Sequence, residues 1–261
     1  MTRSIFITGA SAGIGAALAI EFARRGYAVA IAARRLDRLH DLQVRLAAGG
    51  AAGVVAIKLD VTDYAAIPGA LAEAVRAFGR LDIVVANAGT AAVSPIGKGR
   101  FAQMRATIDT NLLGAMATID AAVAILRAQG GGQVVAITST AGARGFSAFG
   151  PYSASKAGLH RFVQSLRAEV HREPIVVTEL APGFIDTDIN RGMGKRPFVI
   201  PVERGAAIMA RMIERKVAFR FVPVMPWSII VPLLKLLPIA LLAPKPRRAP
   251  GSADSNRRPA P

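Results

Sequence analysis

The sequence predicts an α/β domain: an open, doubly wound parallel sheet of about seven strands with helices on both faces. Three observations carry that expectation. Short runs rich in Val, Ile and Ala recur at residues 4–8, 28–32, 54–59, 83–86, 134–138, 175–180 and 218–222. Between them lie segments with helical apolar spacing, as in Ile14, Leu18 and Phe22, or Leu39, Leu42 and Leu46. Finally, runs such as IVVA at residues 83–86 are apolar throughout, which suits strands covered on both faces. Strands and helices alternating through short connections pair in parallel, with the crossovers lying on the two faces of the sheet.

Taken in order, the first strand runs at once into TGASAGIG, residues 8–15, which opens a helix. The spacing is G-x-x-x-G-x-G, not G-x-G-x-x-G, but the physics is shared. Gly9, Gly13 and Gly15, with Ser11 and Ile14 between them, let the backbone turn tightly and bring a pyrophosphate to a helix N-terminus. The second strand ends in Ala32-Ala33-Arg34-Arg35. A carboxylate there would hold both ribose hydroxyls of NAD. Two guanidiniums instead suit the 2′-phosphate of NADP, so NADP is favoured over NAD. Asp60-Val61-Thr62 closes the third strand, and Asn87-Ala88-Gly89 the fourth. Each also fits a plain structural role: Asp60 as a turn or cap residue, Asn87 and Gly89 as fold supports, Asn111 as an ordinary helix residue.

The chemistry gathers later. Tyr152 and Lys156 stand at i and i+4, on one face of a helix, where an ammonium would stabilise tyrosinate and lower the phenol pKa. Ser139 sits at the end of the fifth strand, where such folds open toward their ligand crevice. Alone, Y-x-x-x-K is weak; the surrounding order of motifs makes it specific. His160 lies one turn further along the same face, and packing suits it better than catalysis. His40, His160 and His171 form no cluster with carboxylates, so no metal site is expected.

These motifs together resemble the short-chain dehydrogenase/reductase family in its single-domain form, from about Ser4 to about Val222. The resemblance implies a Rossmann-type sheet, a homodimer or homotetramer, and hydride transfer between NAD(P) and a carbonyl or alcohol. It also implies roles. Tyr152 would be the general acid or base, and Lys156 would hold the nicotinamide ribose and depress the Tyr152 pKa. Ser139 would bind the substrate oxygen, while Asn111 would kink its helix and hold a water in a proton relay with Lys156. Asp60 and Val61 would meet the adenine, and Asn87 and Gly89 would lie beside its ribose. Thr187, with Pro182, Gly183 and Ile185 before it, would fix the carboxamide. Related enoyl reductases space Tyr and Lys further apart, which argues against C=C reduction here.

Composition bounds the rest. The 261 residues are 52% hydrophobic and contain no cysteine, which excludes disulfides, thiolate metal sites and cysteine nucleophiles, and fits a reducing compartment. No secretory signal precedes the first strand, so a cytoplasmic location is expected. The net charge of +16 points to anionic partners, whether a phosphorylated cofactor or the inner face of a membrane. No basic stripe interleaved with aromatics is present, so no nucleic acid is expected. The order divides into a catalytic domain at 1–222, an apolar extension at 223–243 and a basic, disordered tail at 244–261.

The segment from Phe184 to Pro201 is expected to be a lid. Phe184, Ile185, Ile189, Met193, Phe198, Val199 and Ile200 suit a hydrophobic carbonyl or alcohol substrate, as do Phe146 and Phe149. The extension after residue 222 is too interrupted for a transmembrane helix, with Pro223, Pro226, Pro232 and Pro238 and with Lys235 in its middle. It leaves two readings open: burial as a lid or subunit interface, and shallow contact with a membrane surface. A non-catalytic nucleotide-binding or membrane-surface protein on the same fold is the alternative to an enzyme.

Overall fold

Seven strands define the frame: β1 (Ser4–Thr8), β2 (Ala28–Ala33), β3 (Gly53–Lys58), β4 (Ile83–Ala86), β5 (Gly132–Ile137), β6 (Ile175–Pro182) and β7 (Phe219–Val222). In the computed structural model, which describes residues 2–191 and 196–238, they form one sheet in the order β3-β2-β1-β4-β5-β6-β7. Every neighbouring pair is parallel. The chain steps outward from β1 to β3, then returns to the other side of β1 to lay down β4. That reversal leaves a crevice beyond the carboxyl ends of β1 and β4, where such sheets bind their ligands.

Alternate side chains feed two cores. Ile5, Ile7, Val29, Ile31 and Val85 point to one face, where they meet Leu18 and Phe22 of α1 (Gly13–Arg24), Leu39 and Leu46 of α2 (Leu36–Ala48) and Met209 and Ile213 of α8 (Val202–Glu214). Phe6, Ala30, Ile57, Val84 and Val134 point to the other. There they meet Ile67 and Leu71 of α3 (Ala66–Phe78), Ile119 and Leu126 of α5 (Gly114–Ala128) and Leu159 and Val163 of α6 (Gly150–Glu169). Each fully buried large side chain contributes roughly 1.5–3 kcal/mol, and polar side chains that the strands bury, such as Ser4, Thr8, Gln133 and Thr178, are hydrogen-bonded.

Some boundaries differ from the sequence expectation for tertiary reasons. β6 runs on to Pro182 because β7 pairs with it there, Ala181 opposite Phe221 and Pro182 opposite Val222. Between α4 (Phe101–Ile108) and α5 the helix passes through a π-helical turn, Asp109–Leu113, which apolar periodicity did not announce. By composition the run Phe101–Ala128 is apolar and long enough to cross a membrane, but its inner side is built into the second core.

Beyond the short α7 (Asp188–Arg191) and α8, the extension after β7 folds back as α9 (Val224–Leu236). Its prolines act unequally. The helix is broken at Met225, whose ψ is 138°, and is regular from Pro226 on, whereas Pro232 stands inside it. Trp227 and Val231 are buried. Arg144 reaches across to donate to the last carbonyls of α9, at 2.6 Å from Leu234 O and 3.0 Å from Lys235 O. The lid position Met193 and the tail at 244–261 lie outside the described residues.

Candidate active site

The cleft beyond the strand ends has a volume of about 320 Å³. Gly9 begins it, with φ at +67°, and a Cβ there would stand 2.7 Å from Ala88 Cα. Gly15 does not line the cleft but must be bare for another reason: a Cβ would lie 2.5 Å from Gly9 O and 2.6 Å from Asn87 Nδ2. The glycines therefore let β1, α1 and the end of β4 meet at backbone distance. No side chain caps α1 and no acidic residue stands in its first turn, so its orphan N–H groups and positive dipole end face a cleft lined by Ser11, Gly13 and Ile14. A pyrophosphate fits that environment.

At one end of the cleft are Arg34 and Arg35. Arg35 donates to Ser11 Oγ from Nε at 3.3 Å and from Nη2 at 3.0 Å. The Arg34 side chain is 74% exposed and its Nη1 lies 3.9 Å from Asp60 Oδ2. Asp60 itself closes a turn, its Oδ1 accepting from Thr62 N at 3.0 Å and Thr62 Oγ1 at 2.8 Å, while Val61 lines the cleft beside it. Asn87 ties β4 to β1, donating from Nδ2 to Thr8 O at 2.9 Å.

At the other end stand Ser139, Tyr152 and Lys156, with Gly89, Pro182, Gly183, Ile185 and Thr187 around them. Ser139 heads the 3₁₀ turn Thr140–Ala143 and its Oγ accepts from Ala141 N at 3.1 Å. Asn111 is fully buried behind the cleft in the π turn. It is clamped to Thr90, accepting from Thr90 N at 2.7 Å and donating to Thr90 O at 2.8 Å, and also donates to Ser155 Oγ at 3.3 Å. Ser155 Oγ in turn donates to Tyr152 O at 2.7 Å. Gly89 is the common neighbour: a Cβ there would stand 3.4 Å from Asn111 Oδ1 and 3.7 Å from Lys156 Nζ.

Burial sets the electrostatics of the pair. Burial pushes the Tyr152 phenol up from its ordinary value, and the only opposing influence is its hydrogen bond with Ser139. Lys156 Nζ donates to Ile137 O, 2.8 Å away, and burial lowers its own pKa to about 8. His160 stands outside the cleft, its Nδ1 2.7 Å from the buried Glu179 Oε1.

A profile of the short chain dehydrogenase family matches residues 3–197. The chain belongs to that family. An uncharacterized oxidoreductase of Mycobacterium tuberculosis is 36% identical over 238 residues, which cover 90% of this chain and 94% of that protein. One from Myxococcus xanthus is 35% identical over 256 residues, 94% of this chain and 97% of that one. Among solved structures, an alcohol dehydrogenase of the archaeon Thermococcus sibiricus, complexed with 5-hydroxy-NADP, superposes with a TM-score of 0.77 at 28% identity, covering 85% of this chain and 96% of that chain. This short-chain dehydrogenase is thus an NAD(P)-dependent oxidoreductase of CH–OH and C=O groups on a Rossmann-type sheet.

Several residues of the site escaped the sequence reading. Thr90 and Ser155 hold Asn111 through contacts 21 and 44 positions apart, which no local pattern encodes. Asn190 is buried and donates to Ile185 O at 2.7 Å, fixing the base of the lid, which is also pinned by the bridge between Ile185 and Ile200. Trp227 was hidden in a segment read only by its apolarity. Its ring is seated on Gly183 and packs near Phe184 and Phe198, with centroids 5.9 and 6.3 Å away.

Proposed function

We propose that this short-chain dehydrogenase is an NADP(H)-dependent enzyme that interconverts a hydrophobic carbonyl compound and its secondary alcohol. The observation that carries the reading is a single cleft with two guanidiniums at one end and Ser139, Tyr152 and Lys156 at the other. Gly9, Ser11, Gly13 and Ile14 would hold the pyrophosphate, and Arg34 and Arg35 the 2′-phosphate. Asp60 and Val61 would meet the adenine, and Lys156 and Thr187 the nicotinamide half. The similarity to a dehydrogenase complexed with 5-hydroxy-NADP supports the phosphorylated cofactor. When bound, the nicotinamide supplies or accepts a hydride.

The chain's own groups manage the proton. Tyr152, its phenol kept protonated by burial, gives its proton to the carbonyl oxygen in reduction and takes it back in oxidation. Ser139 donates a hydrogen bond to that oxygen as charge develops on it. Lys156, held by Ile137 O, and Asn111, held by Thr90 and Ser155, fix the shape of the pocket behind the phenol. The apolar lid, with Phe184, Ile185 and Phe198 backed by Trp227, favours a substrate with few polar groups. As the family resemblance implies, the working unit would be a homodimer or homotetramer.

The test is consumption of NADPH against a panel of apolar aldehydes and ketones, with Tyr152→Phe as the control. The variant should bind NADPH as the wild type does and lose at least ~10²-fold in turnover, the low end for a general acid. A variant turning over at the wild-type rate would remove Tyr152 from the chemistry.

A further inference from the structure

Helix α9 has an inner face that is accounted for and an outer face that is not. Trp227 and Val231 point inward. On the outside, Met225, Ile229, Leu233 and Leu236 are 57%, 53%, 56% and 81% exposed. The last three follow at i, i+4 and i+7 and so lie on one stripe, with Met225 just before it. On the inner side, the exposed Phe198 of the lid packs edge-on against Trp227, with ring centroids 6.3 Å apart. A water-facing apolar stripe of this kind marks a contact site.

Charge identifies the partner. From residue 215 to residue 253 the chain has seven lysines and arginines and no aspartate or glutamate. Arg215, Lys216 and Arg220 precede the helix, Lys235 is within it, and Lys245, Arg247 and Arg248 follow. A second copy of the chain docked through the same face would bring this basic segment against its own twin, since a two-fold contact pairs each patch with itself. A surface of negative charge over an apolar interior satisfies both features at once. At 13 residues α9 is about 20 Å long, short of the ~30 Å hydrocarbon core, so it suits lying in the interface and not crossing it.

We propose that the outer face of α9 is a docking surface for an anionic lipid bilayer, with Met225, Ile229, Leu233 and Leu236 entering the headgroup boundary and the basic residues Arg215, Lys216, Arg220 and Lys235 held by acidic headgroups. An apolar face together with a polybasic segment provides the two signals that stable peripheral attachment requires.

The experiment is flotation of the full-length protein with vesicles of phosphatidylcholine, with and without phosphatidylglycerol, at low and high salt. Because binding is read without turnover, its outcome is independent of the proposed enzymatic reaction. Protein should float with the anionic vesicles at low salt, less at high salt, and not with phosphatidylcholine alone. Ile229→Asp with Leu233→Asp should reduce the bound fraction roughly tenfold or more, since each buried carboxylate opposes insertion. Leu236→Asp, at the most exposed position, repeats the test if the double variant does not fold, which circular dichroism would show. Absence of flotation with anionic vesicles, or flotation unchanged in a folded variant, overturns the proposal. So does a variant that dissociates an oligomer by light scattering while binding vesicles normally, which would assign the face to contact between copies.

Discussion

Gly183 is followed by the lid and preceded by the last residue of β6, and the obvious reason for a glycine there is access to the cleft. The structure gives a second reason. Its backbone is not in the left-handed region, so an alanine would meet no conformational penalty. Yet a Cβ would stand 2.1 Å from both Cε2 and Nε1 of Trp227, about 1.4 Å inside the ~3.5 Å at which carbon atoms pack. The indole cannot slide away freely, because it is 4% exposed and wedged against Phe184 and Phe198. Gly183→Ala should therefore carry an overpacking cost of ~1–3 kcal/mol. Trp227→Ala, which empties the site, should cost ~3–5 kcal/mol on its own. In the double variant the new methyl meets open space, so the second substitution should add almost nothing. The assay is a double-mutant cycle of the four proteins in urea, read by the midpoint and slope of unfolding. A coupling of ~1–3 kcal/mol is expected. If Gly183→Ala costs the same in both backgrounds to within ~0.5 kcal/mol, the two residues are independent and the seating of Trp227 on Gly183 is wrong.

Two further outcomes follow from the cleft. Arg35→Ala removes a guanidinium that Ser11 already holds in place, and a bidentate phosphate contact is worth about 1.5–3 kcal/mol, so calorimetry should show NADPH weakened by roughly 10- to 150-fold and NADH little changed; equal loss for both cofactors would remove the residue from 2′-phosphate recognition. The second concerns pH. Lys156 has a folded pKa of about 8 against 10.5 in the open chain, so between these values the unfolded protein holds a proton that the folded one lacks, and stability rises with pH. Relative to Lys156→Met, cofactor-free wild type should gain at most about 3 kcal/mol across that window, and a flat difference between the two proteins would show that the ammonium is not desolvated.

The sheet was legible in the sequence because its central strands are buried on both faces and therefore largely apolar, without interruption in IVVA at Ile83–Ala86. The elements of the site were legible where a residue type is demanded by local geometry or chemistry, as with the glycines of residues 8–15 and the Tyr152 and Lys156 pair. What could not be read was tertiary. Nothing near Asn111 in the chain tells that Thr90 grips its amide, and nothing near Trp227 tells that Gly183 is its seat. The direction of Lys156 was missed for a related reason. Helical spacing places its Cα on the same face as that of Tyr152, but the ammonium goes to the carbonyl of Ile137 in β5. The apolar extension was ambiguous because one side of its helix is buried and the other exposed, and a composition sums over both sides.

The π turn at Asp109–Leu113 bears on insertions and deletions. An α-helix turns by about 100° at each residue, and a π turn accommodates one residue more than the α-helical turn it replaces. The stretches before and after it are consequently wound out of phase by one step. Deleting any one residue between 109 and 113 would let the whole run close into an ordinary helix, but only by swinging one half through about 100° against the other. Either Phe101–Ile108 would lose its orientation or Asn111 would leave Thr90. Substituting the outward-facing Leu113 disturbs neither. At this place in the protein the count of residues is therefore guarded more strictly than their kind, and an aligned relative lacking one residue here would be expected to lack the asparagine's clamp as well.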